Sequence, residues 1–171
     1  MKSKKRIFVY GYGNPGRQDD GLGVRCTELL EEWALEKGLD NVRFDSNYQL
    51  NIEDAAEISD SDIIIFIDAS MEDIKDFYIS RLDMSAKMDF TMHSVSPGFV
   101  LHLCSEIYDR KPEAYLVHIK GYEWEFKEDL TDQAEKNLLY TYELLKNMIK
   151  YPSLIEEYLI PVGEKEAMSF N

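Results

Sequence analysis

Apolar positions recur along this chain with two different periods. Ile7-Phe8-Val9-Tyr10, Ile63-Ile64-Ile65-Phe66-Ile67 and Ala114-Tyr115-Leu116-Val117-His118-Ile119 are short runs rich in β-branched and aromatic residues. That pattern predicts strands buried on both faces, as in a parallel sheet. Val42-Arg43-Phe44 reads as a further strand leading to Asp45. Phe77 to Leu82 reads as a short antiparallel edge strand, because the spacing before it is wrong for a βαβ crossover. Between these runs the apolar period lengthens to that of helices. Leu22, Cys26, Leu29, Leu30 and Trp33 line one face of a first helix that Gly38 closes, and Val100, Leu103, Cys104 and Ile107 line another. Leu138, Tyr142, Leu145 and Ile149 form the inward stripe of a long last helix. Helix starts carry their own chemistry: Ser96 as N-cap with Pro97 in the first turn, Thr131 before the last helix, and Asn51 before a short helix from about Ile52 to Ile58. Asp19 or Asp20 is the expected cap of the first helix. This order of elements predicts an α/β fold, a three-layer α/β/α sandwich around a mostly parallel, mixed, five-stranded twisted sheet of the phosphorylase/hydrolase-like kind.

Composition narrows the function. At 171 residues the chain is expected to form one domain over 1–171, with 152–171 as a C-terminal extension. Leu154, Ile155, Tyr158, Leu159 and Ile160 in that extension would pack on the body or on a second protomer. Acidic residues outnumber basic ones 33 to 19, and the net charge of −14 disfavours electrostatic capture of nucleic acid or of an anionic membrane. No apolar run approaches the ~18 residues of a membrane span. The basic start Met1 to Arg6 precedes an apolar run too short for a signal-peptide core, so the chain reads as cytoplasmic. Cys26 and Cys104 fall on helix faces, which predicts core packing rather than a disulfide or a metal site.

The candidate chemistry begins in the stretch Tyr10-Gly11-Tyr12-Gly13-Asn14-Pro15-Gly16-Arg17-Gln18-Asp19-Asp20-Gly21-Leu22-Gly23, which joins a strand to a helix. Gly11, Gly13 and Gly16 match the G-x-G-x-x-G of dinucleotide-binding loops, and Asp45 could serve such a domain as the ribose acid. Asp19 and Asp20, however, put negative charge where a pyrophosphate would need the positive end of a helix. A cation or a proton suits the loop better. Asp68 ends the strongest strand of the chain, and His93 lies in the loop before a helix, whereas His102 and His118 lie inside regular elements. An Asp can merely cap a helix or open a turn, and a loop histidine can be inert. In a parallel sheet, though, Asp20, Asp68 and His93 would all come to one edge, where open α/β proteins bind ligands. Two carboxylates and an imidazole make an incomplete coordination sphere, suited to Ni, Zn or a related divalent ion.

The stretch from Gly11 to Gly23 resembles the opening motif of the [NiFe]-hydrogenase maturation endopeptidases, in which a strand is followed by G-x-G-N, a polar turn, an acidic pair and G-x-G. Asp68 and His93 fall where that family's other functional residues lie, and the resemblance covers roughly Ile7 to Ile149. It implies a protease that removes a C-terminal peptide from the hydrogenase large-subunit precursor after nickel insertion. By the same resemblance Asp20, Asp68 and His93 would contact nickel that the substrate presents on its cysteine thiolates, with another divalent ion such as Zn possible in the isolated protein. Water could then be activated by the metal or by a carboxylate acting as general base. Gly13-Asn14-Pro15-Gly16 is also similar to the opening of the peptidyl-tRNA hydrolases, but the histidine-bearing block of that family is replaced here by Arg17-Gln18-Asp19-Asp20-Gly21. A Rossmann-like nucleotide module and a non-catalytic scaffold of the same fold are the remaining alternatives.

Overall fold

Strands β1 (Ile7–Tyr12), β2 (Val42–Asn47), β3 (Ile63–Ser70), β4 (Phe77–Arg81) and β5 (Glu113–Lys120) form one sheet in the order β2-β1-β3-β5-β4. The structure, a computed structural model, describes residues 3–85 and 95–159. Four strands are parallel, and β4 pairs antiparallel with β5 at the edge, as the short Phe77 run predicts. Strand alternation sorts the side chains into two layers of core. Ile7, Val9, Ile63, Ile65, Ile67, Val117 and Ile119 pack beneath α1 (Leu22–Glu36) and α4 (Asp132–Lys150). Phe8, Tyr10, Ile64, Phe66 and Ala114 face α2 (Asp54–Ile58) and α3 (Pro97–Tyr108) on the other side. This is the expected three-layer sandwich.

Two of the expected caps are present. Ser96 Oγ accepts the Phe99 amide at 3.1 Å, and Thr131 Oγ1 accepts the Ala134 amide at 3.3 Å. Two others are corrected. A 3-10 turn over Gln18–Gly21 precedes α1, whose N-cap is Gly21, so neither Asp19 nor Asp20 caps it. Near α2 the roles are reversed: the Asn51 amide donates to Asp54 Oδ2 at 2.8 Å, and the Tyr10 hydroxyl donates to the same oxygen at 3.1 Å. In α3 burial runs only from Gly98 to Cys104, with Phe99 and Leu101 among the buried residues; Ile107, expected on the inner face, lies in the last turn and is 62 % exposed. Leu29 and Tyr142 are only partly buried against the core.

Strands β1 and β3 both outlast their apolar runs. β1 continues through Gly11 and Tyr12, and β3 through Asp68, Ala69 and Ser70. These extra residues form the upper edge of the sheet. Connections from β1 and β3 leave in opposite directions, to β2 on one side and towards β5 and β4 on the other, so the β1/β3 junction is the topological switch point where ligands bind in open α/β sheets.

Cys26 and Cys104 are free and buried, and burial pushes both thiols upward in pKa, consistent with packing roles. The described part of the C-terminal extension packs on the body. Ile155 of α5 (Ile155–Tyr158) is buried, Glu156 pairs with Arg81, and Leu159 bridges Ile79 along the outer edge of β4, which shields an otherwise open strand. Among the described residues no helix is long and apolar enough to cross a membrane.

Candidate active site

Asp20 is presented by a turn folded around its own backbone. Gly13 has φ +135°, a conformation L side chains rarely adopt, and a Cβ there would collide with the Asp20 carbonyl oxygen. Asn14 closes the turn from both ends: its side-chain oxygen accepts the Gly16 amide at 2.9 Å, and its own amide donates to Asp20 Oδ2 at 2.8 Å. Asp20 Oδ1 accepts no hydrogen bond among the described residues. Gly23 brings the start of α1 against the sheet, since a Cβ there would collide with the Ile67 carbonyl and come within 2.8 Å of the Tyr12 carbonyl. The glycines thus seat the Asp20 turn over the β1/β3 junction, one residue before Asp68.

Asp68 lies across that junction. Its carboxylate accepts hydrogen bonds from the Ala69 amide and the Tyr12 hydroxyl. Burial, followed by the negative charge of Asp20, nevertheless pushes its pKa up to about 7, against the opposing pull of those two donors. Burial and the neighbouring Asp68 in turn push the Tyr12 phenol well above its ordinary value, so it remains a donor at all working pH. A carboxyl group poised near neutrality can accept or release a proton and can take up a cation on losing it.

This shift fixes a pH dependence of stability. With its pKa raised on folding, the stability linked to Asp68 is fully present below the unfolded value near 4 and is lost as pH rises through about 7. Asp68→Asn, which stays neutral, is therefore expected to stabilise the chain by roughly 1 to 3 kcal/mol more at pH 8.5 than at pH 5. Denaturant unfolding at the two pH values measures this, and an equal effect at both would contradict the burial of a charge at this position.

Asp19 faces away from the junction and does different work. It is 0 % exposed and accepts four hydrogen bonds, from the amides of Tyr122 (2.7 Å), Glu123 (3.1 Å) and Thr131 (2.8 Å) and from the Thr131 hydroxyl (2.8 Å). The preceding residue extends the strap. Gln18, at φ +47°, donates its amide to the Lys127 carbonyl at 2.8 Å and its side-chain nitrogen to Glu123, and it accepts the Glu125 amide. Arg17 Nη2 reaches the Trp124 carbonyl at 3.3 Å. The β5–α4 connection is thereby fastened to the turn that carries Asp20.

No protein-family model and no curated protein matches this sequence. Solved structures do match the fold. The [NiFe] hydrogenase maturation protease HycI from Thermococcus kodakarensis superposes with a TM-score of 0.69 at 20% identity, over 86% of this chain and 94% of that one. The hydrogenase maturating endopeptidase HybD from Escherichia coli gives 0.65 at 21% identity, over 85% and 92%. A hydrogenase 2 maturation peptidase from a Thaumarchaeota archaeon gives 0.61 at 21% identity, over 85% and 98%. This chain has the maturation-protease fold. At such identities the likeness is one of architecture, and it extends over nearly the whole of each partner.

Within the maturation-protease fold, the residues expected to act together fall as follows. Asp20 and Asp68 meet at one edge and are coupled electrostatically. His93 lies outside the described residues. Among the described residues no group of three or more His, Cys, Asp or Glu is arranged to hold a metal ion. Asp45, the ribose acid of the nucleotide alternative, is exposed on β2 and, among the described residues, accepts only its neighbour's amide, from Ser46 at 2.8 Å. His102 is on α3, its ring 6.0 Å from that of Phe99.

Three contributors escaped the sequence. Tyr12 reads as spacing between glycines, yet it continues the Phe8-Tyr10 alternation on one face of β1, and that period was the available signal. His118 is in register with Asp68 on the adjacent strand; its ring stacks on Tyr78 at 4.0 Å, and its Nε2 shares a hydrogen bond with Ser80 Oγ at 3.0 Å. Asp19 has no local signal at all, because its partners are more than a hundred positions away.

Proposed function

We propose that this chain is an endopeptidase that removes a C-terminal peptide from the nickel-loaded precursor of a [NiFe]-hydrogenase large subunit. The observation that carries the proposal is the Asp20–Asp68 pair at the topological switch point of a maturation-protease fold, with Asp68 held near a neutral pKa. Two carboxylates at one sheet edge suit a divalent metal that the substrate presents. Asp20 offers Oδ1, while Oδ2 stays on the Asn14 amide. Asp68 offers its carboxylate in the orientation set by Tyr12 and Ala69, and His93 supplies an imidazole as the third contact. Nickel in the precursor is thus both the signal that licenses docking and the anchor that brings the scissile peptide to the edge. Asp68 gives up its proton as the cation arrives and is then placed to act on a water beside the peptide carbonyl.

The carboxylate pair also speaks against the nucleotide reading. A pyrophosphate at this turn would face Asp20 and Asp68 rather than a cationic or amide-rich cradle. The test of the proposal is the mass of the precursor after incubation with this chain, compared between nickel-loaded and nickel-free forms.

A further inference from the structure

We propose that the upper sheet edge is a protein-docking face, anchored on Tyr48, Met71 and Phe126, whose occupant is a cationic surface of the precursor surrounding its nickel site. The inference rests on the endopeptidase reading and names how that substrate is held. Tyr48 follows β2 directly, Met71 follows β3 directly, and Phe126 lies in the connection after β5, so all three stand at the end of the strands that carries Asp20 and Asp68. They are 69 %, 72 % and 86 % exposed. Exposed apolar residues scattered over a surface are ordinary; three at the exits of three parallel strands, around one carboxylate pair, form a rim.

Phe126 is held as well as exposed. The Arg17 guanidinium lies 5.2 Å from its ring centroid. Its flanks are fastened, since the Glu125 amide donates to Gln18 Oε1 at 3.1 Å and the Lys127 carbonyl accepts the Gln18 amide at 2.8 Å. A large aromatic side chain ordered before binding loses little entropy when a partner covers it, which is the usual condition of an interface anchor.

Charge identifies the occupant. Exposed Asp45, Asp73, Glu123, Glu125, Glu128 and Asp129 belong to this end of the sheet, against exposed Arg25, Lys75 and Lys127. The opposite end, before β1 and β5, sets exposed Lys4, Lys5, Arg6, Arg110 and Lys111 against exposed Asp40, Asp60, Asp109 and Glu113, with Lys5 paired to Glu113 and Arg6 and Arg110 to Asp62. The excess of negative charge therefore lies at the end of the strands that carries Asp20 and Asp68, while the far end is nearly balanced, and the acidic end attracts and orients a basic surface.

Calorimetric binding of the full chain to nickel-loaded precursor tests the proposal. Phe126→Ala is expected to raise Kd by about 10-fold or more, as an anchor residue would. Glu125→Lys combined with Glu128→Lys is expected to raise Kd and weaken its salt dependence. Leu35→Ala, an exposed residue on α1 remote from this edge, serves as the control and is expected to leave Kd unchanged. If wild-type chain cleaves the precursor while the Phe126 and glutamate variants bind it as tightly as wild type, the docking face is overturned and the protease reading stands. If the variants lose affinity but wild type never shortens the bound precursor, the docking face is supported and the protease reading falls. No binding by wild type overturns both.

Discussion

Replacing Asp20 with Asn is expected to slow release of the precursor's C-terminal peptide by roughly 10²- to 10³-fold or more, the cost typical of removing one charged group aimed at a reacting centre. The substitution keeps size and shape. The Asn side-chain oxygen can still accept the Asn14 amide now bound by Oδ2, so the turn around Gly13 should persist. What disappears is the negative charge, and with it both an oxygen donor for the substrate's metal and the repulsion that raises Asp68. The account therefore predicts an inactive protein whose stability changes by less than ~1 kcal/mol, well within the range of substitutions that leave packing intact. Rates of processing and unfolding curves on the same preparation separate the two effects. A variant as fast as wild type would remove Asp20 from the site.

The adjacent carboxylate should behave in the opposite way. Asp19→Ala is expected to destabilise the chain by about 3 to 5 kcal/mol, because it empties a fully buried position and leaves three part-buried amides and a hydroxyl without their acceptor. At about 2 to 4 °C per kcal/mol for a chain of this size, the melting temperature should fall by roughly 10 °C. Asp19→Asn should lose less, since one oxygen can still accept while the new NH₂ group opposes a donor. Among the described residues Asp20 has one oxygen without a hydrogen bond, whereas both oxygens of Asp19 are engaged by the strap. Equal stabilities for Asp19→Ala and wild type, measured by denaturant unfolding, would falsify the strap.

The two predictions concern neighbouring residues of the same type, and the sequence could not tell them apart by any local rule. It indicated that Asp19 was the cap and Asp20 the ligand. The cap does not exist: the 3-10 turn ahead of α1 rotates Asp19 towards Tyr122, Glu123 and Thr131. Those partners are distant in sequence, so no window around the turn contains them. Ser96 and Thr131 were legible as caps because an N-cap hydroxyl reaches only a few residues along its own chain. Asp68 was legible for a similar reason. A carboxylate ending a run of isoleucines stands out wherever the run folds, and the parallel sheet supplies the edge. Tyr12, His118 and the order of the strands depend on nonlocal pairing, above all the insertion of β5 between β3 and β4, which hydropathy does not encode. The strand ends were also underestimated, since Gly11 and Asp68 look like terminators but remain hydrogen-bonded to the sheet.

The raised pKa of Asp68 is better explained by function than by folding. A buried carboxylate beside a second one is a standing cost above neutral pH, and a sequence selected for stability alone could remove it with a single Asn. Keeping the pair is worthwhile where a cation is to be met.

The most direct measurement is the intact mass of the large-subunit precursor after incubation with this chain, with and without nickel inserted. A discrete shortening of the nickel-loaded precursor by one C-terminal peptide is expected, with an unchanged mass for the nickel-free form. A nickel-loaded precursor of unchanged mass, or equal cleavage of both forms, would contradict it.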